Sequence, residues 1–532
     1  MLRIQYPYST CLCGGMKCLV AGMLCILLVT SPQVLAQGTD DKQNFYIIRP
    51  NDTESDIIRK AANVVPTPRQ LRWQQLELTA FFHIGVNTFT NREWGTGKED
   101  PKIFNPSQLD ARQWVRVAKE AGIKQVILTA KHHDGFCLWP TATTEHSVKN
   151  SPWKNGQGDV MREVVEACQE YGLGVGVYLS PWDMNSPVYG TDAYNDLFVA
   201  QLTELLTNYG QIDEVWFDGA NGEGPNGKKQ VYDFDRWYRH IRKLQPTATI
   251  AIMGPDVRWV GTETGYGRET EWSVVPADNL EQEAVAANSQ QAVAFKPQGD
   301  MRGEVLGSRE KIRNAKGLVW YPAETDVSIR PGWFYHPGED DKVKSPEKLL
   351  DIYYSSVGRN GVLLLNIPPD TRGLIHESDV KALQGWAKLR QDTFARNFAN
   401  GAKVKAAGRN KHALLDGKYD THFTTKSAKD TTAIIELRLK GEQTFDVLML
   451  QENISVGQRI EKFTFEYWKE GQWQKATEGT TVGYKRLLRF EPVTASKVRL
   501  RIASSRLNPT ISEIGLYKNA LSGANYSANK QE

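Results

Sequence analysis

The sequence predicts a parallel α/β barrel of the (β/α)8 type followed by an antiparallel β-sandwich, and three observations support this fold class. Short apolar runs alternate with amphipathic stretches from about residue 75 to residue 392, a pattern typical of βα units around a parallel sheet. From about residue 398 to residue 517 only short alternating strands and turn residues remain, as in a sandwich. The 532 residues suffice for two or three domains at roughly 150 residues each, or about 250 for a barrel.

The barrel elements follow from the spacing of apolar residues. Strands are predicted at 78–84, 125–130, 174–179, 214–218, 249–253, 318–321 and 362–367, with an eighth at 271–275. Helices with apolar residues at i, i+3 and i+4 are predicted at 109–121, 160–171, 194–209, 234–244 and 348–357. An open sheet of mixed strand order is the competing fold.

The second domain is predicted from alternating apolar residues. Its clearest strands are 433–439, 445–450, 463–467 and 497–502. We therefore expect a leader at 1–36, a barrel domain at 37–395, a sandwich at 396–520 and a tail at 521–532.

The first 36 residues have the composition of a secretory signal peptide. They contain no acidic residue, carry Lys17 before an apolar run at 18–29, and end in Ala36 after small and apolar residues. The apolar run is too short for a membrane span, and translation could start at Met1 or Met16. An exported protein, periplasmic or at a bacterial cell surface, is predicted.

Cysteine usage and charge indicate which kinds of protein this chain is not. Only Cys137 and Cys168 follow the leader, so the chain does not depend on a disulfide framework. Lys and Arg number 65 against 62 Asp and Glu, and this balance argues against a nucleic-acid or anionic-membrane partner. The 15 Trp and 20 Tyr suit sugar stacking, although an aromatic core gives the same count.

Polar side chains end four consecutive predicted strands. His83 ends the first, His132 and His133 the second, Tyr178 lies at the third and Asp218 ends the fourth. In such barrels the loops after the strands form the active face. Asp218 is therefore the candidate nucleophile, and the alternative is an aspartate that only opens a turn before glycine.

The adjacent histidines have three readings: metal ligation, hydrogen bonding to substrate hydroxyls, or a core network. Neighbouring residues of a strand point to opposite faces, so His132 and His133 do not easily bind one ion. The usual ligand spacing of zinc sites is absent as well, and no metal is predicted.

A second carboxyl is needed if the reaction is glycoside hydrolysis, because one group acts at the anomeric carbon and another protonates the leaving oxygen. Glu263 lies in a glycine-flanked loop after the fifth predicted strand and is the acid/base candidate. Glu269 and Glu271 are rivals. Arg258 is expected either to steady a carboxylate in the pocket or to lie at the surface.

Together these residues resemble the α-L-fucosidases of glycoside hydrolase family 29. The resemblance covers about residues 75–370 and is carried by the segments 81–85, 93–94, 130–136, 178–182 and 214–219. The segments 258–263 and 328–335 resemble the subgroup that prefers α-1,3/1,4-linked fucose.

The resemblance implies a retaining exo-glycosidase that acts on fucosylated oligosaccharides or glycans, with Asp218 as nucleophile and Glu263 as acid/base. It implies no metal or organic cofactor for this reaction, and it leaves the oligomeric state open. The residues implied to hold fucose are His83, Glu93, Trp94, His132, His133, Tyr178, Trp216, Arg258 and Trp333.

The second domain resembles the discoidin-like sandwiches often attached to glycosidases, through the segments 413–423, 499–502 and 511–514. In such domains an acidic loop, here at Asp416 and Asp420, can hold a structural calcium ion. A sandwich that only supports the barrel is an equally good interpretation.

Two other functions remain open from the sequence. One is a different retaining barrel glycosidase such as a galactosidase. The other is a non-catalytic carbohydrate-binding protein, against which the presence of both Asp218 and Glu263 argues.

Overall fold

The computed structural model describes residues 42–276 and 305–521. The predicted leader and the tail beyond residue 521 lie outside the described residues. The α-helices are α1 Glu54–Asn63, α2 Pro68–Leu76, α3 Val86–Thr90, α4 Ala111–Glu120, α5 Val160–Tyr171, α6 Asp192–Asn208, α7 Phe234–Leu244, α8 Arg309–Arg313, α9 Pro346–Ser355 and α10 Glu377–Phe394.

The strands are β1 Phe45–Ile47, β2 Leu78–Phe82, β3 Gln125–Lys131, β4 Gly174–Leu179, β5 Glu214–Phe217, β6 Thr249–Ile252, β7 Arg258–Trp259, β8 Val274–Pro276, β9 Gly317–Trp320, β10 Ala323–Ser328, β11 Val362–Asn366, β12 Lys403–Ala406, β13 Phe423–Thr424, β14 Ala433–Glu452, β15 Ile460–Lys469, β16 Gln472–Gly479, β17 Arg486–Ser505 and β18 Thr510–Tyr517.

Eight strands form a nearly closed parallel barrel. Their order is β6-β5-β4-β3-β2-β11-β10-β7, and every neighbouring pair is parallel. The barrel prediction is therefore confirmed. Because all the strands run in one direction, their carboxyl ends meet at one face of the barrel.

Side chains of β5 point alternately towards the surrounding helices and towards the barrel interior. Val215 and Phe217 pack in the large apolar core with the helices, for example with Phe198 and Trp237. Trp216 lies in the barrel interior, in a cluster that also contains Phe81 and Tyr178. A period of two places the residues of one strand on opposite faces, so Glu214, Trp216 and the following Asp218 share the inner side.

The predicted helices are present, and polar residues define their ends. Asp110 and Asp159 accept hydrogen bonds from backbone N–H groups in the first turns of α4 and α5, as N-cap residues do. Gly172 ends α5 in the left-handed conformation, where glycine is favoured because it has no Cβ.

Two of the predicted barrel strands were placed wrongly. The segments 318–321 and 271–275 contribute to β9 and β8, which form a separate three-stranded antiparallel sheet with β1. The barrel uses β7 and β10 instead. An apolar-run criterion misses them because β7 has two residues and β10 carries Glu324, Thr325, Asp326 and Ser328.

The second domain is an antiparallel seven-stranded sheet with the order β13-β18-β14-β17-β15-β16 and β12 paired to β14. The segments 433–439 and 445–450, predicted as two strands, belong to the 20-residue strand β14. Its pairing with β17 shifts register between Arg438 and Gln443, and such irregularities bend a strand. The inner face buries an apolar core that includes Phe445, Phe463 and Ile514.

Candidate active site

A cavity of about 390 Å³ opens at the face where the barrel strands end. Ten of the eleven side chains predicted for the site line it, and the exception is Arg258. The lining residues are Phe81, His83, Glu93, Trp94, His132, His133, Tyr178, Trp182, Trp216, Asp218, Ala220, Asn221, Gly222, Lys229, Glu263, Asp326 and Trp333.

Asp218 follows β5 directly, and both of its carboxylate oxygens have hydrogen-bond donors. The Ala220 backbone N–H donates to Oδ1 at 2.7 Å, and the Tyr178 hydroxyl donates to Oδ2 at 3.0 Å. The Asp218 side chain keeps 24% exposure on the cavity side. It is thus oriented by the protein while still open to a ligand.

His133 presents an unprotonated nitrogen to Asp218. The Ser180 hydroxyl donates to the Trp182 carbonyl at 2.6 Å, so it can only accept from His133 Nδ1, which lies 2.8 Å away. In the neutral ring Nε2 is therefore the acceptor, and it lies 3.9 Å from Asp218 Oδ2. Burial lowers the pKa of His133, although the negative charge of Asp218 opposes this.

His83 is fixed by a similar chain of hydrogen bonds. Its Nδ1 lies 2.8 Å from Oδ1 of Asn366, whose amide nitrogen donates to Ser328 and to the Trp333 carbonyl. Burial lowers the pKa of His83 to about 3, and the pKa of His132 well below its ordinary value. These rings are neutral near pH 7 and suit hydrogen bonding to uncharged hydroxyls.

Glu263 is the second carboxyl of the cavity. It lies in the loop after β7, where the Trp333 indole N–H donates to its Oε2 at 3.4 Å. The pKa of Glu263 is raised, first by desolvation between the cavity walls and then by the negative charge of Asp218, while the Trp333 bond lowers it. One cavity therefore holds an aspartate oriented by two donors and a glutamate whose pKa is raised.

The rival carboxyls lie elsewhere. Glu269 forms ion pairs with Arg359 and Arg486, and Glu271 is buried against Arg258 and Arg268. Neither of the two glutamates lines the cavity. The geometry thus favours Glu263 as the partner of Asp218.

Arg258 does not reach the cavity, so its predicted place in the substrate-binding set is wrong. Its buried side chain pairs with Glu271 and also donates to the backbone carbonyls of Tyr321 and Trp272. The two residues of β7 point to opposite faces, and the inward one is Trp259, whose indole bonds to Asp326 at 2.8 Å.

Glu93 holds one wall of the cavity in place. Its carboxylate accepts hydrogen bonds from the backbone N–H groups of Trp333 at 2.8 Å and Phe334 at 3.2 Å, and it contacts Nε2 of His336 at 2.5 Å. The Trp333 ring then lies 5.6 Å from the His83 ring, centroid to centroid. Glu93 thus shapes the cavity as well as lining it.

Trp94 and Trp182 form an aromatic rim. Their ring centroids are 5.3 Å apart in an edge-to-face arrangement, and Trp94 is 45% exposed. An exposed aromatic face at the mouth of a polar cavity suits the C–H face of a sugar ring.

The segment that carries the two histidines turns sharply after them. Asp134 accepts from the Phe136 N–H at 2.7 Å and from the Asn87 amide at 3.0 Å, and burial raises its pKa to about 7. At Gly135, φ is +80°, and a Cβ there would lie 2.5 Å from Asp183 Oδ1. Asp134 and Gly135 therefore position His132 and His133.

The sequence reasoning did not assign seven of the lining residues to the site: Phe81, Trp182, Ala220, Asn221, Gly222, Lys229 and Asp326. Trp182 lies within the segment 178–182 that carried the family resemblance, so the sequence could have identified it as a site residue. Asp326 had no such signal, because the polar pattern of β10 did not predict a barrel strand.

The structure also bears on metals and membranes. Within 42–276 and 305–521, no group of three or more His, Cys, Asp and Glu side chains could hold a metal ion. The same residues include no helix with the length and apolar character needed to cross a membrane.

In the acidic loop of the second domain, Asp416 accepts from the Lys418 N–H and the Thr421 hydroxyl, and burial raises the pKa of nearby Glu513 to about 7.

Comparison with known proteins gives two family matches. Residues 70–389 match the alpha-L-fucosidase family, and residues 399–515 match the F5/8 type C domain. Alpha-L-fucosidase 1 of Arabidopsis thaliana is 43% identical over 480 residues, which cover 88% of this chain and 90% of the plant protein.

Solved structures agree with these matches. A putative alpha-L-fucosidase from Bacteroides ovatus is 53% identical, with a TM-score of 0.79 over 90% of this chain and 78% of that one. A Ruminococcus gnavus GH29 fucosidase in complex with fucose is 33% identical, with a TM-score of 0.75 over 86% of this chain and 95% of that one.

These matches cover the barrel that carries Asp218 and Glu263, and they favour a fucosidase over the galactosidase and non-catalytic alternatives. The chain therefore belongs to the α-L-fucosidase family of glycoside hydrolases.

Proposed function

We propose that this α-L-fucosidase is an exo-acting, retaining enzyme that removes α-1,3/1,4-linked L-fucose from oligosaccharides and glycoconjugates. The observation that carries the proposal is the contrast between two carboxyls of one cavity. Asp218 accepts bonds from the Tyr178 hydroxyl and the Ala220 N–H, whereas desolvation raises the pKa of Glu263. Two carboxyls in such different environments can take different roles, one as the nucleophile and the other as the acid.

In the proposed first step a carboxylate oxygen of Asp218 attacks the anomeric carbon. The bond to the leaving oxygen breaks as Glu263 donates its proton to that oxygen, which gives a covalent fucosyl-enzyme. In the second step Glu263 takes a proton from water, the water oxygen attacks the anomeric carbon, and the bond to Asp218 breaks. Fucose then leaves with its anomeric configuration retained.

The proposed fucose contacts follow from the cavity wall. Fucose offers three ring hydroxyls and a methyl group at C6. The neutral rings of His83, His132 and His133 can meet the hydroxyls, because each nitrogen that faces the cavity can accept or donate without a charge. Trp216 and Trp333 supply apolar surface for the methyl group and the C–H bonds.

The nucleophile assignment is tested with Asp218→Asn, which keeps the shape of the side chain. Turnover of an aryl α-L-fucoside should fall by at least about a thousandfold, as expected for loss of a covalent step. Proton NMR of the first product formed by the wild type should show the α-anomer. Normal turnover in Asp218→Asn, or release of the β-anomer first, would contradict the mechanism.

The acid/base assignment is tested with Glu263→Ala. Activity should fall most on natural glycans, whose leaving oxygens need a proton, and azide should restore turnover of aryl fucosides by attacking the fucosyl-enzyme. Glu269→Ala is the matched control, because Glu269 lies outside the cavity and should leave this pattern unchanged. Equal activity of Glu263→Ala and wild type on a trisaccharide would refute the role.

The linkage preference rests on the resemblance of residues 258–263 and 328–335 to the α-1,3/1,4-preferring subgroup. Product analysis on a matched set of α-1,2, α-1,3, α-1,4 and α-1,6 fucosides tests it. Cleavage confined to α-1,2 or α-1,6 bonds would overturn this part of the proposal.

For the second domain we propose a structural calcium ion at the loop of Asp416 and Asp420. Carboxylate and backbone oxygens suit Ca²⁺, and Glu513 lies close enough to Asp416 for the charge of Asp416 to add to the effect of burial on the pKa of Glu513. Calcium should raise the melting temperature of the wild type and leave that of Asp416→Asn unchanged. No shift in the wild type would refute the site.

We also propose that the protein is exported and that residues 1–36 are removed as a signal peptide. The absence of acidic residues from 1–36 and the apolar run at 18–29 support this. N-terminal sequencing of the mature protein should begin at Gln37, and a mature chain that still starts at Met1 or Met16 would contradict it.

A further inference from the structure

Three buried carboxyls line up inside the barrel below Glu263. Glu214, Glu324 and Asp326 project inward from β5 and β10 and are 0%, 0% and 4% exposed. We call these three residues the carboxyl column. In the described part of the chain, no ion pair involves any of the three.

Each member of the carboxyl column accepts a hydrogen bond from an indole N–H. Trp73 donates to Glu214 at 3.1 Å, Trp216 donates to Glu324 at 2.8 Å, and Trp259 donates to Asp326 at 2.8 Å. Among the residues that the structure describes, Oε1 of Glu214 and Oε2 of Glu324 have no hydrogen-bond partner.

Buried carboxyls with neutral donors and no cation are expected to be protonated, because an isolated charge is very costly to desolvate. Burial raises the pKa of Glu214 to about 8 and the pKa values of Glu324 and Asp326 well above their ordinary range. The titratable groups that contribute to the shift of Asp326 are Glu263 and Glu324.

Asp326 is the member of the column that reaches the active site. It lines the cavity together with Glu263, and its bond to Trp259 fixes the inward residue of β7. The loop that carries Glu263 starts immediately after this two-residue strand.

The backbone ties both ends of the Glu263 loop to the strand that carries Asp326. The Val260 N–H donates to the Glu324 carbonyl at 2.9 Å, and the Gly265 N–H donates to the Asp326 carbonyl at 3.1 Å. The side-chain bond nearest the start of the loop is the one from the Trp259 indole, in the strand just before it, to Asp326. Loss of this anchor should therefore displace Glu263 more than it displaces Asp218, which belongs to β5.

We propose that Asp326 is a positioning residue for Glu263, which it holds through the Trp259 indole while remaining a neutral carboxylic acid. This inference rests on the acid/base role proposed for Glu263. Neutrality matters because an ionised Asp326 would repel the carboxylate that Glu263 becomes after it donates its proton. With Asp326 neutral, the loop is still held in place, and the pKa of Glu263 is raised by burial and by the charge of Asp218.

The anchor is tested by comparing Asp326→Asn, Asp326→Leu and Trp259→Phe. The amide of Asn keeps an oxygen for the indole, so kcat/KM should stay within about threefold of wild type. Leu removes the acceptor, and kcat/KM on an α-linked trisaccharide should fall about tenfold, the factor for one hydrogen bond of ordinary strength. The loss on an aryl fucoside with a good leaving group should be under about threefold, because that group needs little protonation.

Two further readouts separate positioning from a general structural effect. The inhibition constant of L-fucose should be unchanged in all three variants. Trp259→Phe should reproduce Asp326→Leu, and the double variant should be no worse than either single one, because both remove the same bond. Equal losses on both substrates, weakened fucose inhibition or additive losses would overturn the proposal.

The neutral state is tested by the pH profile of kcat/KM in Asp326→Asn, whose alkaline limb reports the loss of the proton on Glu263. Replacing a neutral acid by a neutral amide should leave this limb in place. If Asp326 were ionised, its removal would lower the pKa of Glu263 and move the limb to lower pH, which would overturn this part. Trp259→Phe and Asp326→Asn keep the test decisive even if Asp326→Leu fails to fold.

Failure of this inference is distinguishable from failure of the proposed function. If Glu263→Gln keeps trisaccharide turnover, the acid/base role is wrong whatever Asp326 does. If Glu263→Gln abolishes it but Asp326→Leu impairs both substrates equally, only the anchor is wrong. In a Glu263→Ala background, Asp326→Leu should cause no further loss on the trisaccharide.

Discussion

At the residue scale, the orientation of the Asp218 carboxylate depends on one phenolic hydroxyl. Tyr178 is fully buried, packs edge to face against Trp216 with ring centroids 4.9 Å apart, and donates to Asp218 at 3.0 Å. Burial raises its pKa well above the ordinary value, and the charge of Asp218 adds to this. The hydroxyl thus stays protonated and remains a donor to the carboxylate.

We therefore expect Tyr178→Phe to lower kcat/KM for an aryl α-L-fucoside by about ten- to a hundredfold. This is the range for a hydrogen bond to a charged group, and the ring packing is kept. Tyr209→Phe is the matched control, since the Tyr209 hydroxyl also donates to an aspartate, Asp159 at 2.9 Å, but outside the cavity. Equal effects of the two substitutions would show that the bond to Asp218 has no special role in catalysis.

At the element scale, loops held by hydrogen bonds complete the cavity that forms where the barrel strands end. The wall at 332–336 follows β10 and is held by Glu93 from a different loop, through two backbone N–H groups and His336. The Trp333 indole then reaches Glu263 at 3.4 Å. A carboxylate in one loop therefore sets the position of an aromatic wall in another.

Glu93→Gln should loosen this wall, because an amide has one acceptor oxygen for three donors. We expect KM for an aryl fucoside to rise about three- to tenfold and hydrogen exchange at 332–336 to speed up. Glu339→Gln is the control, since Glu339 accepts from the Gly332 N–H at 3.2 Å without lining the cavity. A higher KM with unchanged exchange would mean that Glu93 acts only on the sugar.

The elements that sequence predicted well are those with apolar periodicity. β2 to β6 and β11 were placed to within a few residues, and the polar residues at their ends, from His83 to Asp218, do meet in one cavity. Of the other two barrel strands, β7 was missed because it has only two residues, and β10 because inward-facing carboxyls replace apolar residues.

Arg258 shows a second limit of the sequence. Its loop was identified correctly, yet a two-residue strand turns Arg258 away from the cavity and Trp259 towards it. A one-residue change of register would reverse this, and sequence spacing alone does not fix the register of so short a strand. Asp326 was missed because the polar sequence of β10 does not predict a barrel strand.

At the scale of the whole molecule, the sandwich packs against the barrel through polar contacts that are buried or partly buried. Lys485 pairs with Glu77 just before β2, and the Ser273 N–H donates to Gln458 at 2.8 Å. The side-chain oxygen Oδ1 of Asn360, just before β11, accepts from the Tyr484 N–H at 2.8 Å. Because Glu77 and Asn360 precede their strands, these contacts lie away from the strand ends that carry the cavity. The described contacts of Glu77 and Asn360 therefore join the sandwich to the end of the barrel opposite the cavity.

The carboxyl column makes the stability of the whole chain depend on pH. The folded-state pKa of Glu214 is about 8, above its ordinary value of 4.5. Its contribution to the free energy of unfolding is thus fully present below 4.5 and is lost as the pH rises through about 8. The raised pKa values of Glu324 and Asp326 act in the same direction.

We expect Glu214→Gln to reduce the fall of the melting temperature between pH 6 and pH 9 by at least about 2 °C. The amide stays neutral and still offers an oxygen to Trp73 and Gln125, so the bonds of Glu214 are kept while its titration is removed. Glu204→Gln is the matched control, because Glu204 also accepts an indole N–H, that of Trp139 at 2.7 Å, but from a partly exposed position outside the carboxyl column. If both variants lose the same number of degrees as wild type between pH 6 and pH 9, Glu214 is not a neutral acid in the folded chain.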